Sequence, residues 1–431
     1  MKFSKTRISA LALLMLPFSV AFSQNNMSDD QQAQVQQFTP ITTGVSFLSV
    51  APDARAGGLG DAGAATSPDL DSQYWNAAKY AFMNGVGGAS VSYVPWLRNL
   101  VGGIDLISAS GYYKIHDVQA VAMSLRFFSM GDVLIRRDPN DPGYNVKPYD
   151  LALDASYSRK LTKNFSMGVV LRFVYSDLTG GYSEDGSYNE PGAGVGADIS
   201  GYYGKEVDFA WGKGFGAFGF NISNIGSKID YGDTRSSAFQ PTNLRLGGSF
   251  KMPFDNYNSL TLSLDLNKLL VPMRPTQANI MLENPQLEGE TNEEYSERIS
   301  ATYQAALTEY YEMDPMTGIG RSFTDNPNGF VGELGEINFA IGLEYSYDDK
   351  FFGRFGYHNE SEALGNRKYV TFGAGFKLNV FSLDVSYVLS VTDTNTNPLN
   401  NTLRFTLGFN MGAIKQLANN DAGKDSAEDV F

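Results

Sequence analysis

Apolar and polar residues alternate strictly over long stretches of this sequence, and this pattern limits the possible fold more than any other feature. Residues 165–175 and residues 337–347 each place an apolar side chain at every second position. Successive side chains of a β-strand point to opposite faces, so each stretch would form a strand with one apolar face. Alternation over about 9–11 residues is the length that a membrane-spanning β-strand requires.

About fourteen such segments follow one another along the chain, and an even number suits a bacterial outer-membrane barrel. The predicted strands are 86–94, 104–115, 118–130, 149–161, 165–178, 193–203, 216–224, 242–251, 259–267, 336–347, 351–358, 369–378, 381–391 and 402–411.

The connections between these segments differ in length in a regular way. Those after even-numbered strands are short, as at 161–164 and 348–350, and most of those after odd-numbered strands are long, up to 268–335. Outer-membrane barrels have short periplasmic turns and long outer loops, whereas a secreted β-sandwich would not sort its loops in this way. The sequence therefore predicts an all-β fold, a transmembrane antiparallel barrel at 86–411. The connection at 205–214 follows an even-numbered strand and is somewhat longer than the other connections of that group.

The two ends of the chain differ from the predicted barrel. Residues 1–23 resemble a secretory signal peptide, because basic residues precede an apolar run at 8–22 and small residues stand at the cleavage positions. We expect cleavage before Gln24, since the run is short for the alternative, a membrane-spanning helix. Residues 24–46 are predicted to be a flexible periplasmic segment, and 412–431 a loose, acidic periplasmic tail.

Residues 47–85 belong neither to the signal nor to the alternating strands. Closely spaced glycines allow tight turns and close approach between chain segments, and Pro68 and Asp69 can begin a short helix with an apolar side. We interpret the stretch as a plug, a glycine-rich coil with a short helix that fills the barrel lumen. The plug residues that we single out are Asp53, Arg55, Gly58, Gly60, Asp61, Gly63, Trp75 and Asn76.

Gly58, Gly60 and Gly63 also match the spacing of a dinucleotide-binding motif. That motif is meaningful only between a strand and a helix of a βαβ unit, and no alternation of strands with long helices follows. We therefore predict that the chain binds no cofactor.

Alternation places charges of both signs on the inward faces of the strands. These residues are Arg126, Arg172, Arg245, Arg354 and Arg404, with Asp154, Asp198, Asp265, Glu344 and Asp384. A balance of signs suits a filled lumen with paired charges better than a wide ion-selective pore. Counting residues outward from the short turns predicts three lumenal pairs. They are Asp154 with Arg172, Glu344 with Arg354, and Arg245 with Asp265.

The long connection at 268–335 contains a predicted helix. Thr291 and Glu294 have the spacing of a capping box. The residues that share one face of this helix are Tyr295, Ile299, Tyr303, Ala306 and Tyr310. Two interpretations remain open: the face covers the rim of its own barrel, or Tyr295, Tyr303 and Tyr310 bind a partner, since tyrosine is favoured at interfaces.

Composition argues against several functions. The net charge of −14 argues against a nucleic-acid partner, and the lack of cysteine excludes disulfides and thiolate metal sites. The only histidines are His116 and His358, and no G-x-S-x-G motif occurs. We therefore predict that the protein is not an enzyme and has no catalytic or metal-binding residues.

The plug sequence resembles a known family. APDARAGGLGDAGAAT at 51–66 and YWNAAKY at 74–80 are similar to the PorV family of the type IX secretion system of Bacteroidetes. The wider likeness is to fatty-acid-transporter (FadL-like) barrels, in which a glycine- and alanine-rich segment precedes Asn-Pro-Ala. Here Asn76 is followed by two alanines, so the proline is missing.

The resemblance implies a location, a function and partners. PorV-like proteins lie in the outer membrane, in contact with its lipid, and receive cargo bearing a C-terminal domain from the type IX translocon. They deliver it to the attachment complex, where a sortase-like protein cleaves the signal and links cargo to lipopolysaccharide. The alternative function is uptake of hydrophobic solutes, as in FadL-like channels. A lipid-modifying enzyme would be a third possibility, but no nucleophile with a base is visible.

Overall fold

The computed structural model describes residues 41–96, 102–136, 142–179, 190–209, 212–232, 237–361, 364–391 and 401–411. The predicted signal peptide, residues 24–40 and the predicted acidic tail lie outside the described residues.

Fourteen antiparallel strands close a barrel, as the alternation predicted, and two further strands form a separate hairpin. The strands are β1 (Gly87–Pro95), β2 (Ile104–His116), β3 (Gln119–Met130), β4 (Val133–Ile135), β5 (Tyr144–Val146), β6 (Tyr149–Lys160), β7 (Phe165–Asp177), β8 (Gly192–Phe209), β9 (Gly212–Gly226), β10 (Asn243–Pro253), β11 (Asn258–Leu269), β12 (Ile337–Tyr347), β13 (Phe351–Asn359), β14 (Lys368–Lys377), β15 (Phe381–Ser390) and β16 (Leu403–Asn410). Barrel strands pair with their neighbours in sequence, β3 pairs with β6 across the β4–β5 hairpin, and β1 pairs with β16 to close the barrel.

The two faces of each strand differ as alternation requires. On β7, Leu171 is 66% exposed, while Val170 and Arg172 beside it are 1% and 4% exposed. Outward apolar side chains of this kind form the lipid-facing surface, and polar side chains point into the lumen. We call the two ends of the barrel the short-turn end and the long-loop end.

Two details of the strand prediction were wrong. The link at 205–214 is not a long turn, because β8 and β9 extend through it and remain paired as far as Phe209 and Gly212. The loop predicted at 131–148 contains the β4–β5 hairpin, which sequence analysis missed. The first correction removes the exception to the sorting of loops by length.

The plug lies inside the barrel and contains four short helical turns. They are Ser46–Ser49 and Ala77–Phe82, which are 3₁₀-helices, and Ala54–Gly57 and Ser72–Trp75, which are α-helical. The single short helix predicted from Pro68 onward is therefore two helices. They are separated at Asn76, whose extended backbone (φ −171°) ends the first.

The plug runs through the lumen from one end to the other. Near its start, Phe47 and Leu48 are buried against the ends of β1, β2 and β7 at the long-loop end. Near its finish, the Lys114 ammonium donates to the Met83 carbonyl at 2.8 Å, and the Lys160 ammonium lies 4.7 Å from the Phe82 ring centroid. Both lysines lie near short turns, so the chain reaches the short-turn end just before β1 begins.

The structure corrects the expectation for residues 41–46, which were assigned to a flexible periplasmic segment. The Gly44 amide donates to the Phe239 carbonyl at 2.9 Å, and Ile41 packs with Phe239 and Val271. These contacts hold the segment at the long-loop end, opposite to the short turns.

The connection between β11 and β12 carries four helices, at Gln277–Glu283, Asn292–Glu312, Pro315–Arg321 and Gly329–Gly335. The predicted capping box of the longest is present: the Glu294 amide donates to Thr291 Oγ1 at 3.3 Å, and the Thr291 amide donates to the Glu294 carboxylate at 2.9 Å. Among the described residues, no helix has both the length and the apolar character needed to cross a membrane.

Candidate functional site in the barrel lumen

Asp53 and Trp75 form the central contact within the plug. Asp53 caps the Ala54–Gly57 helix by accepting from the Ala56 amide at 2.8 Å, and its other oxygen accepts from Trp75 Nε1 at 2.5 Å. Trp75 is buried against Gly63, where a Cβ would lie 2.2 Å from the indole ring, so only glycine fits there. Burial, followed by the negative charge of Asp69, raises the pKa of Asp53 to about 6.

The turn at Gly60 and Asp61 fixes the plug to strands β13, β14 and β16. Both residues have positive φ, 69° and 68°, a conformation that glycine adopts easily and aspartate tolerates. The Asp61 carboxylate accepts from the Arg404 guanidinium and, at 2.6 Å, from the Tyr369 hydroxyl. Although burial opposes ionisation, the Arg404 charge holds the pKa of Asp61 below its ordinary value.

Two plug glycines allow close contact between the plug and the barrel wall. A Cβ at Gly58 would lie 3.0 Å from the Cα of Gly373 on β14. A Cβ at Gly356 on β13 would lie 2.0 Å from the Gly60 amide nitrogen. Glycine on both surfaces therefore permits backbone-to-backbone packing that larger side chains would prevent.

Arg55 joins the plug to β12. Its guanidinium donates to Asp69 at 2.7 Å and to both oxygens of Glu344 at 3.1 and 3.2 Å. Glu344 also accepts from Arg354 Nε at 2.7 Å, and the register places these two residues directly opposite each other. Arg354 continues to Asp384 at 2.6 Å, so the plug arginine is part of a chain of ion pairs along the wall.

A second group of buried charges lies on β3, β6, β7 and β8. Asp154 is directly opposite Arg172 in the register, and their ion pair measures 2.6 Å. Arg172 also reaches Asp198 at 3.0 Å, and Arg126 reaches Asp154 at 3.2 Å. The guanidinium of Arg172 also donates to the Asn224 side chain. Because each charge is buried with a partner of opposite sign, the group rigidifies the wall.

The third predicted pair, Arg245 with Asp265, is wrong in register. Arg245 lies opposite Asn267 and donates to it at 2.8 Å, while Asp265 lies opposite Gly247. The connecting turn closes one residue later than assumed, because Asp255 Oδ1 accepts from the Tyr257 and Asn258 amides. A shift of one residue in the turn centre moves each partner by two positions.

Arg245 and Asp265 each contact the plug instead of each other. Asp265 Oδ2 accepts from the Gly63 and Ala64 amides at 2.8 and 2.9 Å. The Arg245 guanidinium lies 4.5 Å from the Trp75 ring centroid, a cation–π contact.

Asn76 and Lys79 hold the last part of the plug. Asn76 Nδ2 donates to the Ala64 and Gly201 carbonyls, both at 2.9 Å, and thereby joins the plug to β8. Lys79 is completely buried and donates to the Gly63 carbonyl at 2.9 Å and to Thr66 Oγ1 at 3.1 Å. Burial lowers the pKa of Lys79. Sequence reasoning missed this lysine, although it stands within the YWNAAKY segment.

The described residues enclose a lumenal cavity on either side of the plug. The cavity toward the long-loop end measures about 280 Å³ and is lined by Tyr74, Trp75, Arg126, Arg245 and Arg367 among others. The cavity toward the short-turn end measures about 440 Å³ and is lined by plug residues 67–71 and by apolar and charged side chains of the wall. The residues that line the two cavities do not overlap, because the plug lies between them.

The tyrosine face of the Asn292–Glu312 helix turns toward its own protein. Tyr310 is only 5% exposed, and its ring lies 5.4 Å from that of Phe239 in an edge-on contact. Tyr295 and Tyr303 are half-buried on the same side. Tyr310 is therefore part of the rim packing and cannot belong to a partner surface, whereas Tyr295 and Tyr303 keep part of their surface exposed.

A family model described as "Type IX secretion system protein PorV" matches residues 31–276, which is more than half of the chain. The chain belongs to the PorV family. The matched range contains the whole described plug and strands β1–β11, so it includes the segments that carry the resemblance. PorV is named for a secretion system rather than for an enzymatic reaction. Membership, together with the closed barrel, places this PorV-family protein in the outer membrane.

Solved structures of similar fold include two toluene transporters and a FadL homologue. The Ralstonia pickettii toluene transporter TbuX is 11% identical, with 84% of this chain and 97% of that chain covered and a TM-score of 0.43. The Pseudomonas putida toluene transporter TodX is 10% identical, with 82% and 96% covered and a TM-score of 0.46. A Pseudomonas aeruginosa FadL homologue is 13% identical, with 83% and 98% covered and a TM-score of 0.41. No curated protein matched the chain.

Proposed function

We propose that this PorV-family protein receives cargo bearing a C-terminal domain from the type IX translocon and delivers it to the attachment complex at the cell surface. In this proposal its long loops face outward, its short turns face the periplasm, and residues 1–23 are removed as a signal peptide. The sortase-like protein of the attachment complex is the partner that takes over the cargo.

The observation that best supports an adaptor rather than a channel is the attachment of the plug to the wall around the lumen. Contacts from Arg55, Asp61, Gly63 and Asn76 reach β12, β16, β11 and β8. On β7, Ser166 Oγ donates to the Ala78 carbonyl at 2.7 Å. A plug bonded to strands on several sides obstructs solute passage, so the surfaces available for function are the loops and the outer wall.

The alternative is uptake of hydrophobic solutes. Such a function needs an apolar pocket with few polar groups. The cavity at the long-loop end is lined by Arg126, Arg172, Arg245 and Arg367, together with Asp61. A hydrocarbon would gain little there, because the charged groups would lose solvation or partners. The lining of this cavity therefore favours the adaptor function.

The test uses host cells whose own copy is replaced by an affinity-tagged one. Cargo bearing the C-terminal domain should co-purify with the tagged protein, and the amount should rise when the sortase-like protein is removed. The same cargo without its C-terminal domain should not be captured. In cells lacking the protein, cargo should fail to reach the surface, while accumulation of radiolabelled oleate and toluene should be unchanged. Normal surface delivery without the protein, or a loss of oleate or toluene accumulation, would contradict the proposal.

A paired substitution tests whether the long-loop helix contributes to capture. Tyr295→Ala combined with Tyr303→Ala changes the two half-buried tyrosines, and Glu297→Ala changes an exposed residue elsewhere on the same helix. We expect weaker cargo capture from the tyrosine variant and normal capture from the control. If both variants capture the same amount of cargo, the two tyrosines serve only to pack the helix against the barrel rim.

A further inference from the structure

Lys268 has an unusual position for a charged residue of a membrane barrel. It follows Leu262, Leu264 and Leu266 on the outward face of β11, and those leucines are exposed. In the register it lies opposite Ile337, which is also on the outward face of its strand. Lys268 nevertheless is only 8% exposed, so something outside the barrel wall covers it.

The cover is the end of the long connection, residues 323–336, which folds down over the outside of the wall. The Lys268 ammonium donates to Glu333 at 2.8 Å and to Glu336 at 2.6 Å. It also lies 5.8 Å from the Phe323 ring centroid. Carboxylate oxygens of Asp325, Glu333 and Glu336 lie within 4.8 Å of one another, and the ammonium offsets their charge.

The other side of this cover is exposed and apolar. Phe330, Val331 and Leu334 are 76%, 59% and 51% exposed. Across the Gly329–Gly335 helix these three residues lie on one side, and Glu333 is turned toward Lys268. The exposed residues of 327–335 include no charged side chain, because Glu333 is buried. The Asn292–Glu312 helix differs, since it exposes Glu293, Glu297 and other carboxylates.

The position of Phe330, Val331 and Leu334 along the barrel axis indicates what these exposed side chains contact. From Tyr347 to Ile337, β12 spans about 33 Å at roughly 3.3 Å per residue. A strand tilt of about 40° reduces this to about 25 Å, the height of the apolar band of an outer-membrane barrel. Lys268, opposite Ile337, therefore lies at the upper edge of the band, one outward position above Leu266. The apolar side of the cover continues the lipid-facing surface at the depth where aromatic residues meet lipid headgroups.

We infer that residues 327–335 are an interfacial membrane anchor, which inserts Phe330, Val331 and Leu334 into the outer edge of the bilayer beside β11 and β12. Lys268, Glu333 and Glu336 form the ion-pair group that holds the anchor against the wall. The anchor fixes one side of the longest loop at the membrane surface and leaves the Asn292–Glu312 helix above it.

The absence of cysteine from the chain makes site-directed spin labelling direct. Leu334→Cys and Phe330→Cys are each labelled in the full-length protein, which is reconstituted alone in nanodiscs of palmitoyl-oleoyl phosphatidylcholine. Leu266→Cys on the lipid-facing wall and Gln304→Cys on the exposed helix serve as matched controls. Power saturation then compares the accessibility of each label to oxygen, which partitions into lipid, with that to a water-soluble nickel chelate.

If residues 327–335 insert into the bilayer, the spin labels at 330 and 334 should be more accessible to oxygen than to the nickel chelate, as the label at 266 should be. Labels as accessible to nickel as that at 304 would overturn the inference and reassign the surface to a protein partner. Heat-dependent gel mobility shows that each variant is folded, and Val331→Cys replaces any variant that is not. Glu333→Gln combined with Glu336→Gln should raise the nickel accessibility of the label at 334, because the ion pairs that hold the anchor are lost.

Discussion

At the residue scale, most of the inward arginines and carboxylates that the sequence identified are joined in ion pairs or bonded to the plug. Asp154 shows how closely these groups depend on each other, since it accepts from Arg172 at 2.6 Å and from Arg126 at 3.2 Å. Removing one member of such a buried group leaves another charge without its partner, and this cost exceeds the net value of the pair.

We expect Asp154→Asn and Arg172→Met each to lower the free energy of unfolding by about 3–5 kcal/mol. The double variant should be less damaging than the sum, with a coupling energy of about 1–3 kcal/mol, because the first substitution already breaks the ion pair that the second would remove. Urea unfolding in detergent micelles measures all four proteins. The exposed pair of Glu206 and Lys213, 3.3 Å apart, provides the control cycle, and its coupling should be at most about 1 kcal/mol. Equal coupling in the two cycles would indicate that the lumenal pair is solvated.

Asp53 provides a prediction of pH dependence. Its pKa is raised from 3.8 to about 6 in the folded protein. A raised pKa means that the folded state holds the proton more tightly, so stability from this group is present below pH 3.8 and is lost as the pH rises toward 6. The loss would be about 3 kcal/mol at 1.36 kcal/mol per pH unit.

Asp53→Asn should therefore make smaller the fall in stability that the unaltered protein shows between about pH 4 and pH 6, to which the raised pKa of Asp71 also contributes. The urea midpoint at several pH values measures the difference. Asp314→Asn is the matched control, because Asp314 also caps a helix, but hydrogen bonds from the Thr317 side chain and from backbone amides lower its pKa. The Asp314→Asn variant should still lose stability as the pH rises from about 4 to about 6, as the unaltered protein does. A fall of equal size in the Asp53 variant would show that another group causes it.

At the element scale, the close contact between the plug and β13 depends on glycine. A Cβ at Gly356 would lie 2.0 Å from the Gly60 nitrogen and 2.3 Å from the Leu59 carbonyl carbon, both of which are backbone atoms. A Cβ at Gly353, on the outward face of the same strand, would contact nothing within 4 Å. The two positions allow the effect of one methyl group on plug packing to be separated from its effect on the strand.

Gly356→Ala should displace the plug and lower the free energy of unfolding by about 1–3 kcal/mol, the usual cost of overpacking. Limited proteolysis should then cut within residues 50–70, whereas the unaltered protein, in which most of these residues are buried, should resist cleavage there. Gly353→Ala should change neither property. If both variants resist proteolysis equally, the plug can shift to accept the methyl group and the contact is less rigid than the structure indicates.

At the scale of the whole molecule, the plug separates a lumenal cavity of about 280 Å³ from another of about 440 Å³. Because the plug runs from the long-loop end to the short-turn end, it forms a barrier between the two sides of the membrane. A barrel of this size would conduct ions if it were empty, because larger outer-membrane barrels enclose water-filled channels.

Deleting residues 47–82 should raise the single-channel conductance in planar bilayers. Deleting Gln277–Glu283, a helix of the long connection, should leave the conductance at its low value, because the plug is retained. Heat-dependent gel mobility confirms that both barrels are closed before recording. An unchanged conductance after loss of 47–82 would mean that some other part of the chain closes the lumen.

The sequence by itself determined the features that depend on local periodicity. Alternation identified the fourteen barrel strands and the inward position of Asp154 and Arg172, because the side-chain period of a strand is fixed by its backbone. The sequence also predicted that Glu344 lies opposite Arg354, because the turn between their strands is short and its centre is clear. The register prediction failed for Arg245, because the Asp255 side chain moved the turn centre by one residue.

Only the tertiary structure decided which distant segments meet. The ion pair of Arg404 with Asp61 joins segments 343 residues apart. The burial of Lys79 and the direction of the plug depend on the closure of the barrel around the plug. The outward Lys268 is covered by its own loop, a contact that no periodic pattern encodes. Local sequence sets the face on which a side chain lies, whereas the closure of the barrel around the plug sets its partner.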